Sequence, residues 1–234
     1  MKILFSNLLL TVSTLSALHT NADYLVANLA HPFLKKIFKS AAASDSVTLT
    51  WATSQVINCI YLGFTNATTL VAYLYDVSDT LLSTIALTAS DPGKSFAAVA
   101  GVRKAVITIT VGSGVVYLGT IGIGAGYTMP DPIADWKDAS LDNSARIRSP
   151  DGQSMMNKIP PLRLFASNFK VREYETYLAI KDLVDAVSHP VFADPFELAH
   201  DKYLPLYCDI DGGFGNPMKG DRQFTFSLNF LEAR

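Results

Sequence analysis

From Ser46 to Ile123 the chain is a succession of short β-branched and aromatic runs, each closed by turn residues and almost free of charge. Val47-Thr-Leu-Thr-Trp51 alternates apolar and polar side chains, the period of a half-buried strand. Val56 to Phe64 is nearly continuous apolar sequence, as a strand covered on both faces requires. Thr65-Asn66-Ala67 and Asp76-Val-Ser-Asp79 read as turns around a strand from Thr69 to Tyr75, and Leu81 to Thr88 follows as the next strand. Asp91-Pro92-Gly93-Lys94 marks a loop. Ala105, Ile107, Ile109 and Val111 share one face of a strand, with Val106, Thr108 and Thr110 on the other. Val111-Gly-Ser-Gly114 predicts a hairpin onto Val115 to Ile123. A chain of this texture is mainly β and folds as an antiparallel β-sandwich or jelly roll.

The charge pattern divides the 234 residues in two. Residues 1–130 hold seven Lys or Arg, five Asp and no Glu, out of 19 basic and 21 acidic residues in all. The break falls at Met129-Pro130-Asp131-Pro132, so we expect a β-sandwich domain over 1–130 and a second domain over 131–234. The second part reads as a small α+β unit. Residues 131–160 are polar and turn-rich, and Leu162 to Val171 predicts a strand. Glu173 to Ser188 predicts the main helix, with Tyr174, Tyr177, Leu178, Val184 and Val187 near one face and His189-Pro190 as its stop. Another strand is expected within Tyr203 to Ile210. Gln223 to Glu232 alternates Phe224, Phe226, Leu228 and Phe230 with polar residues, a half-buried C-terminal strand.

Met1-Lys2 and the apolar residues that follow resemble a secretory leader ending near Thr20-Asn21-Ala22. Asn7 interrupts the run and Ser or Thr at 11, 13, 14 and 16 dilutes it, which favours a buried first strand over Lys2 to Phe5. No apolar run is long enough for a membrane-spanning helix. A net charge of −2 excludes binding to nucleic acid by bulk charge.

Candidate chemistry is sparse. The glycines of Gly119-Thr-Ile-Gly122-Ile-Gly124-Ala-Gly126 are followed by Tyr-Thr-Met-Pro-Asp-Pro, which cannot open the helix that a phosphate loop needs, so close strand packing is expected of them. Asp209-Ile-Asp211-Gly-Gly, near Asp221, has hard oxygen ligands but not the spacing of a calcium loop, and reads as a solvated acidic turn. Cys59 and Cys208 read as core residues. No nucleophile elbow or paired zinc histidines occur, and no catalytic, cofactor-binding or metal-ligating set is expected. Aromatic side chains on a sandwich can stack on sugar rings. Tyr61, Tyr73, Tyr75 and Tyr117 are candidates by type, Tyr73 and Tyr75 sharing a face, and Trp136 is a candidate on a loop.

Several segments also carry a resemblance. Lys2-Ile-Leu-Phe-Ser-Asn-Leu8, Tyr24-Leu-Val-Ala-Asn-Leu29 and Lys35-Lys-Ile-Phe-Lys-Ser40 resemble the opening of a group of tailed-bacteriophage virion proteins. Val116-Tyr-Leu-Gly-Thr-Ile-Gly-Ile-Gly124 resembles a later strand of theirs, and Phe224 to Arg234 their final strand. Phe38 stands where Trp is commoner in that group. The resemblance implies a discoidin-like (galactose-binding-like) jelly roll and a place in the tail tip or baseplate.

Together these readings lead to the expectation of a non-enzymatic structural virion protein. Its partners would be other tail proteins, within a homo-oligomeric ring assembled in the host cytoplasm. The termini, 1–45 and 222–234, are the segments expected to add strands to neighbours. The alternative is a carbohydrate-binding module that touches a host-surface glycan through Tyr73, Tyr75 or Trp136.

Overall fold

A computed structural model describes residues 1–31, 36–88, 93–130, 133, 137–141, 145–148, 154–157, 162–194, 206–214 and 224–233. The chain clusters into two compact units, one of Met1–Met129 with His189–Tyr207 and Arg234, the other of Pro130–Ser188 with Cys208–Ala233.

The first unit contains strands β1 (Lys2–Leu4), β2 (Thr14–Ala17), β3 (Phe38–Lys39), β4 (Ser44–Thr65), β5 (Thr69–Tyr75), β6 (Leu81–Thr88), β7 (Gly93–Thr110), β8 (Tyr117–Gly124) and β9 (Tyr127–Thr128). The second contains β10 (Lys137–Leu141), β11 (Ala145–Arg148), β12 (Ser154–Asn157), β13 (Leu162–Val171) and helix α1 (Tyr174–Asp185). Strand β14 (Val191–Asp194) returns to the first unit, and β15 (Leu206–Phe214) and β16 (Phe224–Glu232) follow. The protein is mainly β and its sheets are antiparallel, as the alternation implies.

Two long strands organise the first unit. Strand β4 runs for 22 residues and is a single strand where the sequence suggested two. Its pairing with β7 shifts register between Thr50 and Gln55, between Gln55 and Ile57, and between Ile57 and Cys59. Such irregularities bend a strand, so each long strand serves two arms. In one arm β2, the first half of β4, the last half of β7, β5 and β6 lie side by side. In the other, the second half of β4 pairs with β8, and β8 with β3. Strands β7 and β8 therefore flank β4 and are not a hairpin; Gly112 and Gly114 belong to a crossover. Gly112-Ser-Gly114 does turn the chain, but turn residues do not say which strand the chain meets next.

Both arms contribute to one apolar core. Val47, Leu49, Leu70, Leu74 and Ile107 come from the first; Phe38, Ile60, Leu62, Leu118 and Ile121 come from the second. Trp51 is buried there with its indole N–H donating to the Leu8 carbonyl at 2.9 Å. Asn7 ties the N-terminal segment to β8: its Nδ2 donates to the Ile121 carbonyl at 2.7 Å, and its Oδ1 accepts from Ile123 N and Leu9 N, both at 3.1 Å. Buried Asp45 accepts from Leu18 N and His19 N at 3.1 Å and so fixes the end of β2.

Strand β1 is buried, as the apolar opening implies, and lies between β14 and β9. Its neighbour β14 places Phe192 against the reverse side of the second arm, stacked on Tyr61 at 5.6 Å. The termini are thus paired within the chain over Lys2–Leu4, Thr14–Ala17 and Phe224–Glu232, contrary to their expected role as strands for neighbours. Their apolar faces complete sheets of the chain itself.

In the second unit β10, β13, β16 and β15 are adjacent in that order, and β11 pairs with β12. Helix α1 begins after Glu173 and buries Tyr177, Ile180 and Val184. Tyr174, expected on the buried face, is exposed, and Ile180 takes its place at the spacing a helix needs. Tyr177 packs against Phe214, Phe224 and Phe226 at 5.6–6.1 Å between ring centroids. Burial pushes its phenol above the ordinary tyrosine range, with the nearby Lys181 opposing the shift.

Candidate functional site

The outward side of the first arm is set by strand alternation. Inward residues such as Val47, Leu70 and Ile107 enter the core, so their sequence neighbours must face away from it. The register aligns those neighbours in rows across the strands. One row runs Ser16, Thr48, Val106, Tyr73, Thr84; the next runs Thr14, Thr50, Lys104, Tyr75. On the other side of Tyr73 the row is Ser46, Thr108, Val71, Ala86. The result is a surface of hydroxyls and small apolar groups, with Lys104 as the charged residue in these rows.

Tyr73 and Tyr75 both lie on this face and are half-buried, so the structure brings together the pair that the sequence singled out. Their surroundings differ. The Lys104 ammonium sits 4.7 Å from the Tyr75 ring centroid and donates to Asp79 Oδ1 at 2.5 Å. Asp79 is held in a left-handed conformation, φ 61°, by the tight turn before β6. In that turn Asp76 Oδ1 accepts from Ser78 N and Thr80 N, both at 2.8 Å. The turn therefore places a carboxylate where it neutralises Lys104 and holds it over Tyr75. Among the described residues no other ring or cation is recorded on Tyr73.

The remaining aromatic candidates separate. Tyr61 is 1% exposed and stacked on Phe192, so it is a core residue and not a platform. Its strand reads as continuous apolar sequence, and that signal already argued for burial on both faces. Trp136 lies outside the described residues. Tyr117 is 38% exposed at the start of β8, with its N–H donating to Asn66 Oδ1 at 3.0 Å while Asn66 Nδ2 donates to the Val115 carbonyl at 2.9 Å. Phe64, which sequence reasoning passed over as a core residue, is 49% exposed. It adopts φ 54°, and a Cβ at the adjacent Gly119 would stand 2.8 Å from its own Cβ. Glycine at 119 is what leaves room for Phe64 in this conformation, a signal visible only once β4 and β8 are known to pair.

No other chemistry gathers. Cys59 and Cys208 are both buried, and Cys59 Sγ donates to the Gly124 carbonyl at 3.3 Å. Asp209 and Asp211 lie in strand β15 with Gly212 and Gly213, opposite Leu231 and Asn229. They are strand residues and not the acidic turn expected; Gly212 has Val184 of α1 close above it, which explains the glycine without a loop. Asp221 lies outside the described residues. Among the described residues no three His, Cys, Asp or Glu side chains come together as a metal site. Among them, too, no helix is long and apolar enough to cross a membrane.

No protein-family model matches the chain, and no curated protein matches it. Solved structures resemble part of it. One is chitosan-binding module 1 of a chitosanase/glucanase from Paenibacillus sp. IK-5, at 16% identity and a TM-score of 0.44, covering 51% of this chain and 99% of that one. Another is a Clostridium perfringens CBM32 module in complex with GalNAc-β-1,3-galactose, at 17% identity and a TM-score of 0.42, covering 51% and 100%. A third is a pectin-binding module, at 16% identity and a TM-score of 0.40, covering 51% and 94%. Each of these likenesses extends over about half of this chain.

Proposed function

We propose that this chain is a non-catalytic carbohydrate-binding module whose platform is the outward face of the first arm, with Tyr73 as the stacking ring. The observation that carries this reading is the placement of a half-exposed Tyr73 in a grid of hydroxyls whose one cation, Lys104, is already neutralised by Asp79. A sugar presents apolar C–H faces and a rim of hydroxyls. An aromatic ring covers the first, and Ser and Thr hydroxyls both donate to and accept from the second. Tyr75 stands two residues along the strand, about 7 Å away. Its ring carries Lys104, so it offers its edge and its hydroxyl to an adjoining sugar. The face suits a neutral glycan, since among the described residues of these rows there is no uncompensated cation to attract an acidic one. Screening the full chain against a panel of neutral and acidic glycans tests the reading: binding confined to neutral members is expected, and silence across the panel ends it.

A second reading, a structural component of a tailed-phage tail tip or baseplate, rests on the sequence resemblance of the segments named above. Asn7 and Asn28 make side-chain bonds to the backbone, and Leu29 and Phe38 are core residues. Those residues help to build the frame of the first unit. The two readings are compatible, because a tail protein can also touch a glycan on the host surface. Mass spectrometry of purified particles tests the second: absence of the chain from the virion would end it and leave the first untouched.

A further inference from the structure

Strand β6 ends the strand order of the first arm, and over Leu81–Leu87 its recorded backbone pairing is with β5. An open edge is a row of backbone donors and acceptors shaped to take another strand. Proteins ordinarily blunt such an edge with lysine, proline, an inward charge or shortness. Strand β6 has none of these: it is eight residues long, Leu-Leu-Ser-Thr-Ile-Ala-Leu-Thr. Exposed apolar groups surround its start, with Leu81 at 50%, Leu82 at 39% and Val77 of the preceding turn at 70% exposure.

We propose that β6 pairs antiparallel with β6 of a second copy of this chain, forming a two-fold dimer with one continuous sheet. Three features select a second copy over another partner. An antiparallel pair of identical strands is its own two-fold mate, so a single edge is complementary to itself. A charged edge facing its copy would set like charge against like, and β6 carries no charge at all. The ladder, about 24 Å long over Leu81–Leu87 at ~3.4 Å per residue, is too thin a contact alone, and the exposed Leu81, Leu82 and Val77 of both copies add the apolar area a specific interface needs. A two-fold axis perpendicular to the sheet leaves the Tyr73 faces of both copies on the same side. The pairing does not depend on what that face binds.

Light scattering of the full chain over a range of concentrations reads the result directly. The wild type is expected at twice the chain mass. Thr84→Lys, an exposed β6 position, is expected to weaken the dimer about a hundredfold, because the two lysines approach each other near the axis. At concentrations where both chains are monomeric its thermal unfolding should match that of the wild type, and mixing it with Thr84→Glu should restore a mixed dimer. A wild type that stays monomeric, or an oligomer of any size that is indifferent to Thr84→Lys, overturns the proposal. If Thr84→Lys misfolds, the same comparison with Ala86→Lys decides.

Discussion

Gly122 lies so close to the ring of Phe192 that a Cβ at position 122 would stand 2.4 Å from Cδ2 and 2.7 Å from Cε2. The missing side chain is what lets β14 bring Phe192 onto β8 and stack it on Tyr61. Gly122→Ala is expected to destabilise the fold by about 1–3 kcal/mol through overpacking. Phe192→Ala should cost about 3–5 kcal/mol alone through the cavity it leaves. The double variant should cost less than the sum of the two, since the alanine at 122 then enters that cavity. Denaturant unfolding of the three variants checks this; additive costs would contradict the contact.

Asn7 supports β8 through one donated and two accepted hydrogen bonds. Asn7→Ala leaves the Ile121 carbonyl and the Ile123 N–H short of a partner, and a loss of about 2 kcal/mol is expected. Asn7→Asp should be worse, because it sets a carboxylate against the Ile121 carbonyl. Equal stability of the two variants in denaturant melts would argue against the donated bond.

Tyr177 holds its proton more tightly in the folded chain than in the unfolded one, since burial raises its pKa. Above the ordinary tyrosine range the unfolded state loses that proton first. Stability therefore falls as pH rises through that range, and below it the contribution is fully present. Tyr177→Phe should flatten this alkaline decline in unfolding measurements taken at a series of pH values. An unchanged slope would assign the decline to other groups.

Lys104 is held over Tyr75 by Asp79. The pair is partly exposed, so Asp79→Asn should change stability by no more than about 1 kcal/mol. It frees a cation on an otherwise neutral face, however, and acidic glycans should then bind where the wild type admits neutral ones. A glycan preference that does not move would show that Lys104 lies outside the contact.

Much of the architecture was legible in the sequence, because a period of two reports on burial wherever one face of a strand is wet. Thr69–Tyr75, Leu81–Thr88 and Leu162–Val171 have the limits that their composition and flanking turns suggest. Pairing was less legible. Nothing local in Gly112-Ser-Gly114 says that β4 lies between β7 and β8, and nothing in Val191-Phe-Ala-Asp194 says that it pairs with Lys2–Leu4. The face shared by Tyr73 and Tyr75 followed from their spacing alone. The hydroxyl rows beside it come from β2, β4, β6 and β7 and appear only with the register. Phe64 shows the same limit: its exposure depends on Gly119, distant in sequence.

The most direct test of the account is a binding titration of the wild type and Tyr73→Ala against a neutral glycan, with unfolding measured alongside. The account expects the wild type to bind. In Tyr73→Ala affinity should fall about tenfold or more, the scale of one aromatic stacking contact, while the unfolding midpoint stays within a few degrees. Undiminished binding by a folded Tyr73→Ala chain would contradict the platform assigned to this face.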